Sequence, residues 1–376
     1  MALENCVLHF PVGNGDMTLL QIGRQGFGKT VLVDVKITDS SQGEQAKCDV
    51  LAELHSVLPK RDGVPYIDCF VATHPDDDHV KGLKKHFYLG PPEEYQKREE
   101  GIPLIKVDEI WFSEVCTKRI SEDRRLGEDA VALRTEVKRR RKCFESKVGA
   151  ALNGNRLLVL GSVEDGEGKV ERWDLPGLVA ECGSTITIGE AEALVLAPLG
   201  DEIFDDENQS SKNDSSVVIR WTIKGSRILL GGDATVHIWK SIGDKYTAAD
   251  LSYDLLLAPH HCSWRTISYD SASKTENPKV NEGAIAALSH AEPGALIVSS
   301  SKEISSVTQD PPSHLAKAEY EKVVGAKKFL CLADTGNSQN PPKVRQVNLG
   351  YMGVSLVAVS APSIAIPKKS QPIRHG

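Results

Sequence analysis

The feature that most constrains this chain is its supply of short apolar runs, rich in Val, Leu and Ile and closed by Gly, Asp or His. Cys6–Phe10, Met17–Ile22 and Thr30–Val35 are the first three. Runs of this length and content predict strands. Gly13-Asn14-Gly15-Asp16 predicts a hairpin connection between the first two. Later runs alternate with helical patterns. Residues 44–58 are predicted helical and 67–73 a buried strand. An amphipathic helix follows from about Asp78 to Tyr88, with Val80, Leu83 and Phe87 on one face. Further buried strands are predicted at 108–112, 156–160, 193–197, 216–223, 227–230, 254–258, 295–299 and 328–332. Antiparallel ribbons mixed with β-α alternation predict an α/β fold of two sheets with helices outside, one unit with a large insertion.

Composition sets the outer bounds. The chain has 376 residues, 40% hydrophobic and 26% charged, enough for a sizeable core. Its longest apolar run, 354–367, is broken by Ser and Pro and falls short of the ~20 residues of a membrane span. The opening MALENCVLHF has neither a basic region nor a long apolar one, so a cytoplasmic protein without membrane contact is expected. Eight scattered cysteines without a CxxC pair predict buried free thiols. Charge is uneven. Residues 118–147 carry eleven basic and six acidic residues, a local +5 that leaves −12 for the remainder. That segment is predicted as a solvated, charge-laced helical insertion, with a phosphate-contacting arm or a protein-docking surface as its functional readings. Residues 200–214 read as a polar loop. The domain is predicted to span 1–360, with a flexible basic tail over 361–376.

The chemistry concentrates in His74-Pro75-Asp76-Asp77-Asp78-His79. Pro75 biases His74 towards extended backbone, which ends the strand and puts the aspartates on the first turn of a helix. An acidic N-cap explains one or two carboxylates. Three carboxylates between two imidazoles repel unless a cation neutralises them, and imidazole with carboxylate is a donor set for divalent transition metals. Two other predicted strands also end in metal-competent residues, at Gly231-Gly232-Asp233 and at His260-His261. Rigid strands that aim such residues into one crevice are how α/β folds build sites.

The 74–79 segment resembles the H-x-[HD]-x-D-H signature of metallo-β-lactamase-fold hydrolases. In its aspartate form it is similar to the soluble hydrolase domain of the ComEC competence (DNA-internalisation) proteins. Phe10–Asp16, Val31–Asp34, Asn213–Val218, Leu229–Asp233 and Leu255–Ser263 resemble further elements of that family in the same order. The resemblance covers roughly residues 5–335 outside the basic insertion. It implies an αββα sandwich with two divalent ions, zinc or manganese. His74 and Asp76 would hold one ion, and Asp78, His79 and one of His260 and His261 the other, with Asp233 bridging. The stretch from Leu196 to Asp214 has no histidine where the fold usually supplies one. Asp214 or Asn213 would substitute, in an oxygen-rich site that favours manganese or another hard ion. Asp16 and Asp34 are expected to orient ligands or backbone, and Cys262 to be a packed thiol.

The function expected from this reading is metal-dependent hydrolysis, with Asp76, Asp78 and Asp233 holding the ions and accepting a proton from the attacking water. A phosphodiester, nucleic acid or nucleotide is the expected substrate, contacted by His314, Ser263 and Arg140. The alternatives are hydrolysis of a small ester, thioester or cyclic nucleotide, and a non-hydrolytic scaffold with a degraded metal site; bound-metal stoichiometry separates the scaffold from the enzyme. Consecutive residues of an extended chain point to opposite sides, so only one of His260 and His261 is expected to face the metals.

Overall fold

Two sheets face each other, and each joins an antiparallel half to a parallel half. The computed structural model describes residues 5–23, 28–43, 46–97, 101–113, 126–161, 177–199, 212–308, 310–335 and 341–357. The expected tail over 361–376, most of the 200–214 loop and the first part of the insertion, 118–125, lie outside these residues.

The first part of the chain forms β1 (Cys6–His9), β2 (Thr18–Ile22), β3 (Lys29–Val33), β4 (Val35–Lys36), β5 (Lys60–Arg61), β6 (Val64–Val71), β7 (Phe87–Tyr88), β8 (Ile105–Phe112), β9 (Arg156–Leu160) and β10 (Val179–Ala180). The second sheet follows as β11 (Thr185–Ile188), β12 (Ala191–Ala197), β13 (Val218–Ile223), β14 (Ser226–Leu230), β15 (Tyr253–Leu257), β16 (Ala291–Ser299) and β17 (Phe329–Cys331). The chain then returns to the first sheet with β18 (Arg345–Gly350) and β19 (Gly353–Leu356). The first sheet has the order β10-β9-β8-β6-β3-β2-β1-β18-β19, with β5 beside β6 and β7 beside β8; the second runs from β11 to β17 in sequence. Pairing is antiparallel from β1 to β3 and parallel across β3, β6, β8 and β9. It is antiparallel from β11 to β14 and parallel from β14 to β17.

Three apolar clusters define the layers. Between the sheets lie Val31, Cys69 and Trp111 from one and Ala193, Trp221 and Leu255 from the other. The Trp111 and Trp221 rings stack 5.6 Å apart and 7° from parallel. Outside the first sheet pack helices Val50–Val57 and Glu128–Ser146; outside the second pack Val236–Lys245, Glu282–Ala287 and His314–Val324. This is the αββα sandwich expected from the sequence.

Two helices differ from expectation. The helix expected from residue 44 starts at Val50, where the Asp49 carboxylate caps it by accepting from Ala52 N. The helix expected over 78–88 is two short turns, Asp77–Val80 and Leu83–His86, broken at Gly82 (φ 87°). A Cβ there would lie 2.7 Å from the Ile37 carbonyl oxygen, so the chain passes too close to Ile37, just after β4, for any other residue.

The insertion is corrected more thoroughly. Its described part is the 19-residue helix Glu128–Ser146, which buries Ala130, Leu133 and Val137 against the first sheet and forms part of the outer layer. Arg140, expected to touch substrate, is 1% exposed. Its guanidinium donates to Glu136 Oε1 at 2.8 Å and to the carbonyls of Val107, Asp108 and Arg156 at 2.9–3.2 Å. Arg139 donates to both Glu136 oxygens, Asn155 Oδ1 and the Gly154 carbonyl. A buried guanidinium needs several acceptors, and these tie the helix to β8 and β9.

Candidate metal centre

Three parallel strands end at one place. β6 runs into His74–His79, β14 into Asp233 and β15 into His260-His261, and each connection has a local reason for its shape. After β6, Asp76 occupies the N-cap of the turn Asp77–Val80, yet its side chain accepts no capping hydrogen bond. Asp77 points outward to Lys81 Nζ at 3.4 Å. After β14, Gly231 and Gly232 press the chain against its neighbours. A Cβ on Gly231 would lie 2.5 Å from the Trp239 ring, and one on Gly232 (φ 48°) 2.8 Å from Thr73. The Gly-Gly pair is therefore more than a turn signal; it lets Asp233 approach the β6 terminus. After β15, His260 (φ 50°, ψ 45°), His261 (φ 55°, ψ 37°) and Cys262 (φ 66°) are left-handed in succession. Non-glycine residues adopt this region rarely and at a cost, and such runs collect at functional sites.

That left-handed turn overturns the expectation for the histidine pair. Extended geometry ends at Ala258, and both imidazoles turn towards Asp233. The Asp233 carboxylate is the hub. Its Oδ2 lies 3.6 Å from His74 Nε2 and 3.5 Å from His260 Nε2. Its Oδ1 lies 3.1 Å from His79 Nε2 and 3.5 Å from His261 Nε2. Asp76 Oδ2 stands 4.0 Å from His74 Nε2, and Asp78 Oδ2 3.4 Å from His261 Nε2. The donor atoms of Asp16, His79, Asp233 and His261 all lie within 4.8 Å of one another, as do those of His74, Asp78 and His79.

On His79 and His74 the other ring nitrogen has a hydrogen-bond partner, which aims Nε2 inward, whereas Nδ1 of His260 and of His261 is buried without one. His79 Nδ1 is hydrogen-bonded to Asp34 Oδ2 at 2.7 Å, His74 Nδ1 faces the Thr73 hydroxyl at 3.2 Å, and His261 Nδ1 lies 3.4 Å from Asp16 Oδ1. Asp34 is itself fixed by Thr73, accepting from its backbone N–H and its hydroxyl. Carboxylates behind ligand histidines are a recurrent device for orienting metal ligands. Asp34 thus holds a ligand candidate, while Asp16 both contacts His261 and joins the converging group.

Fit to a metal is tested by what these atoms lack. His74 Nε2, His79 Nε2, His261 Nε2 and Asp233 Oδ1 are buried without a hydrogen-bond partner. Leaving buried polar atoms unpaired costs about 1–3 kcal/mol each, so three ring nitrogens aimed at a carboxylate with an unpaired oxygen of its own fit a cation rather than a folding defect. The electrostatics agree. Burial opposes charge on His79, but the Asp233 and Asp34 carboxylates override it and raise its pKa well above the ordinary value. Burial likewise opposes charge on His261, and Asp233 with Asp16 and Asp78 raises it to about 10. Burial and the neighbouring His79 push His74 down to about 3, and burial lowers His260. Burial works against an ionised Asp233, yet the four surrounding histidines hold its pKa well below the carboxylate range. Positive charge is thus favoured beside Oδ1, and neutral imidazoles beside Oδ2. A metal ion answers the first demand by displacing protons, and the second side is already deprotonated for ligation.

The remaining expected residues are placed as follows. Asp214 is buried and its Oδ1 accepts from the Thr235 hydroxyl, which does not put it in either converging group. Ser263 is buried and its Oγ accepts from Arg265 N at 3.2 Å, capping the turn that follows. His314 is exposed at the start of its helix, joined to the histidine turn through Ser313 N donating to the Cys262 carbonyl at 2.9 Å. Cys262 is a packed thiol whose pKa burial pushes up. Seven of the eight cysteines are free and the eighth, Cys116, lies outside the described residues. Among the described residues no helix is long and apolar enough to cross a membrane. Sequence reasoning passed over Thr73, whose hydroxyl links Asp34, His74 and His79; a threonine beside a ligand histidine carries no distinguishing signal.

No family model and no curated protein matches this chain. Among solved structures it is similar to CmlA, a diiron β-hydroxylase from Streptomyces venezuelae, at 13% identity over 88% of this chain and 53% of that one, with a TM-score of 0.39. It is also similar to the metallo-β-lactamase fold protein YhfI from Bacillus subtilis, at 11% identity over 90% and 98% of the two chains, with a TM-score of 0.36. Zn²⁺-bound PqqB from Methylobacterium extorquens follows at 12% identity, 84% of each chain and a TM-score of 0.37. The chain spans about half the length of CmlA.

Proposed function

We propose that this chain is a metal-dependent hydrolase that holds two divalent cations and cleaves a phosphodiester. One observation carries the reading: the two oxygens of Asp233 face two separate histidine pairs, His74 with His260 and His79 with His261. Asp76 belongs with the first pair by proximity and Asp78 with the second. A pair of cations held there supplies Lewis acidity and a nucleophilic water at neutral pH.

The chain's own residues do the rest. Asp34 and Thr73 fix His79, and Asp16 backs His261, so the imidazoles need little rearrangement to ligate. Among the described residues the site is exposed at Asp78, Asp76 and His260, whose side chains are 36%, 19% and 14% exposed, while His74, His79, His261 and Asp233 are closed off. Substrate therefore enters over Asp78 and Asp76. Both histidines at Oδ2 are neutral, and Asp78 stays ionised, since His261 and His79 outweigh the burial that opposes its charge.

A phosphodiester is favoured over a neutral ester by the ComEC-type motif order; with two imidazoles and two carboxylates at each position, the donor set suits zinc as well as manganese. The insertion supports a long polyanion less than its charge suggests, because Arg139 and Arg140 are occupied by the chain's own acceptors. The test is turnover of bis-p-nitrophenyl phosphate, single-stranded DNA, duplex DNA and RNA with Mn²⁺, Mg²⁺ and Zn²⁺. Hydrolysis of at least one, lost in Asp233→Asn, is expected. Protein that binds two ions yet cleaves none of them contradicts the reading.

A further inference from the structure

One charged group beside the centre has no part in holding it. Lys36 belongs to β4, which bridges to Val80 and Lys81 and so runs alongside the turn that carries Asp78 and His79. Its stem crosses Gly15: a Cβ on Gly15 would lie 2.4 Å from Lys36 Cδ and 2.7 Å from the Asp78 carbonyl oxygen. Gly15 is thus required so that a lysine chain can pass between the Gly13–Gly15 loop and the Asp78 turn. The ammonium donates to the Asn14 carbonyl. Asn14 is itself anchored, donating to the Pro311 carbonyl and accepting from Lys302 N, both at 2.9 Å. The Ser300 hydroxyl donates to the Gly15 carbonyl at 2.5 Å. Loops from four parts of the chain thus hold one half-buried cation in a fixed place.

The charges around it define what it faces. Lys36 is within electrostatic reach of Asp78, Asp16 and Asp233, and of a second cation, exposed Lys302. Asp78 is also where the site opens to solvent. Once metal ions take up the carboxylate charge, the Lys36 ammonium remains as positive charge near Asp78 with Lys302 as its neighbour, and that field favours an anion there.

We infer that Lys36, assisted by Lys302, is the anion-binding residue of this site, contacting the non-bridging oxygens of a phosphodiester that lies over Asp78. The inference rests on the phosphodiesterase reading and deepens it, since it makes charge on the substrate a condition of tight binding. Lysine serves phosphate as a point charge, and a hydrogen bond to a charged group carries roughly 10- to 100-fold in binding.

The experiment uses the full chain loaded with Mn²⁺ and compares wild type with Lys36→Met, Lys36→Arg and Lys302→Met. Substrates are bis-p-nitrophenyl phosphate and the neutral p-nitrophenyl acetate, and inorganic phosphate binding is measured separately by calorimetry. Lys36→Met is expected to raise KM for the diester and weaken phosphate binding by roughly 10-fold or more. Metal content and kcat/KM for the acetate should stay within about twofold, Lys36→Arg should recover most of the loss, and Lys302→Met should show a smaller loss of the same kind. Equal losses on both substrates, loss of metal, or unchanged phosphate binding in Lys36→Met and Lys302→Met would overturn the assignment. Failure of wild type to cleave the diester would remove the phosphodiesterase reading alone, because phosphate binding judges Lys36 independently.

Discussion

Two regions of this molecule drew attention for their charge, and the structure treats them in opposite ways. In the helix Glu128–Ser146 the three consecutive arginines find acceptors: Arg140 has Glu136 and three carbonyls, Arg139 has Glu136, Asn155 and Gly154, and Arg141 has Glu145 at 2.7 Å. At the end of β6 the reverse holds. His74 Nε2, His79 Nε2 and Asp233 Oδ1 are buried, converge and remain unpaired. Dense charge with matched partners is architecture; buried polar groups aimed at one another without partners mark a candidate binding site. The difference lies in pairing, and pairing is set by tertiary contacts.

The largest effect that sharpens this contrast is expected for Asp78→Ala. It removes a partly exposed carboxylate, so the fold should survive while turnover of the phosphodiester falls at least about 1,000-fold. Half of wild-type turnover would break the assignment. Next is Arg140→Leu, which leaves Glu136 paired with Arg139 alone and takes the buried donor from the Val107, Asp108 and Arg156 carbonyls, and should cost about 1–3 kcal/mol in chemical denaturation. Metal bound per folded chain should not change. A variant with unaltered stability but a raised KM would return Arg140 to the substrate and erase the contrast.

A smaller effect is expected behind the ligands. Asp34→Asn should lower metal affinity roughly 10- to 100-fold in chelator competition, because His79 loses the carboxylate that orients it. Unchanged affinity would make the 2.7 Å contact incidental. The smallest effect concerns His9, a buried histidine away from the centre whose Nδ1 meets the Thr18 hydroxyl at 3.0 Å. Burial pushes its pKa down to about 3 from 6.5. The unfolded chain takes the proton first, so the native state is favoured above pH 6.5 and loses stability as pH falls from there towards 3, by about 1 kcal/mol over the first unit. His9→Gln should flatten that slope; an identical slope in the variant would show that His9 is not the group responsible.

Much of this was legible in the sequence, for identifiable reasons. Strands such as Arg156–Leu160 were read directly, because buried parallel strands are short continuous apolar runs. His74, Asp76, Asp78, His79 and Asp233 were legible as candidate ligands because carboxylate and imidazole crowding at strand ends has few structural uses. The histidine pair was not, since nothing in Pro259-His260-His261-Cys262 announces three left-handed residues in a row. Nor was the packing of the basic helix. Its Ala130, Leu133 and Val137 stripe is narrow, and the acceptors that satisfy Arg140 come from β8 and β9, strands distant in sequence. Lys36 went unnoticed because its place beside Asp78 depends on Gly15, on another strand connection.

In the proposed function Asp233 joins two cation positions. Counting metal per chain by mass spectrometry tests it most directly, on full-length protein stripped, reloaded with Mn²⁺ or Zn²⁺ and desalted. Wild type should hold two ions per chain, and Asp233→Asn at most one. A wild type that saturates at one ion, or an Asp233→Asn variant that keeps both, would contradict the account.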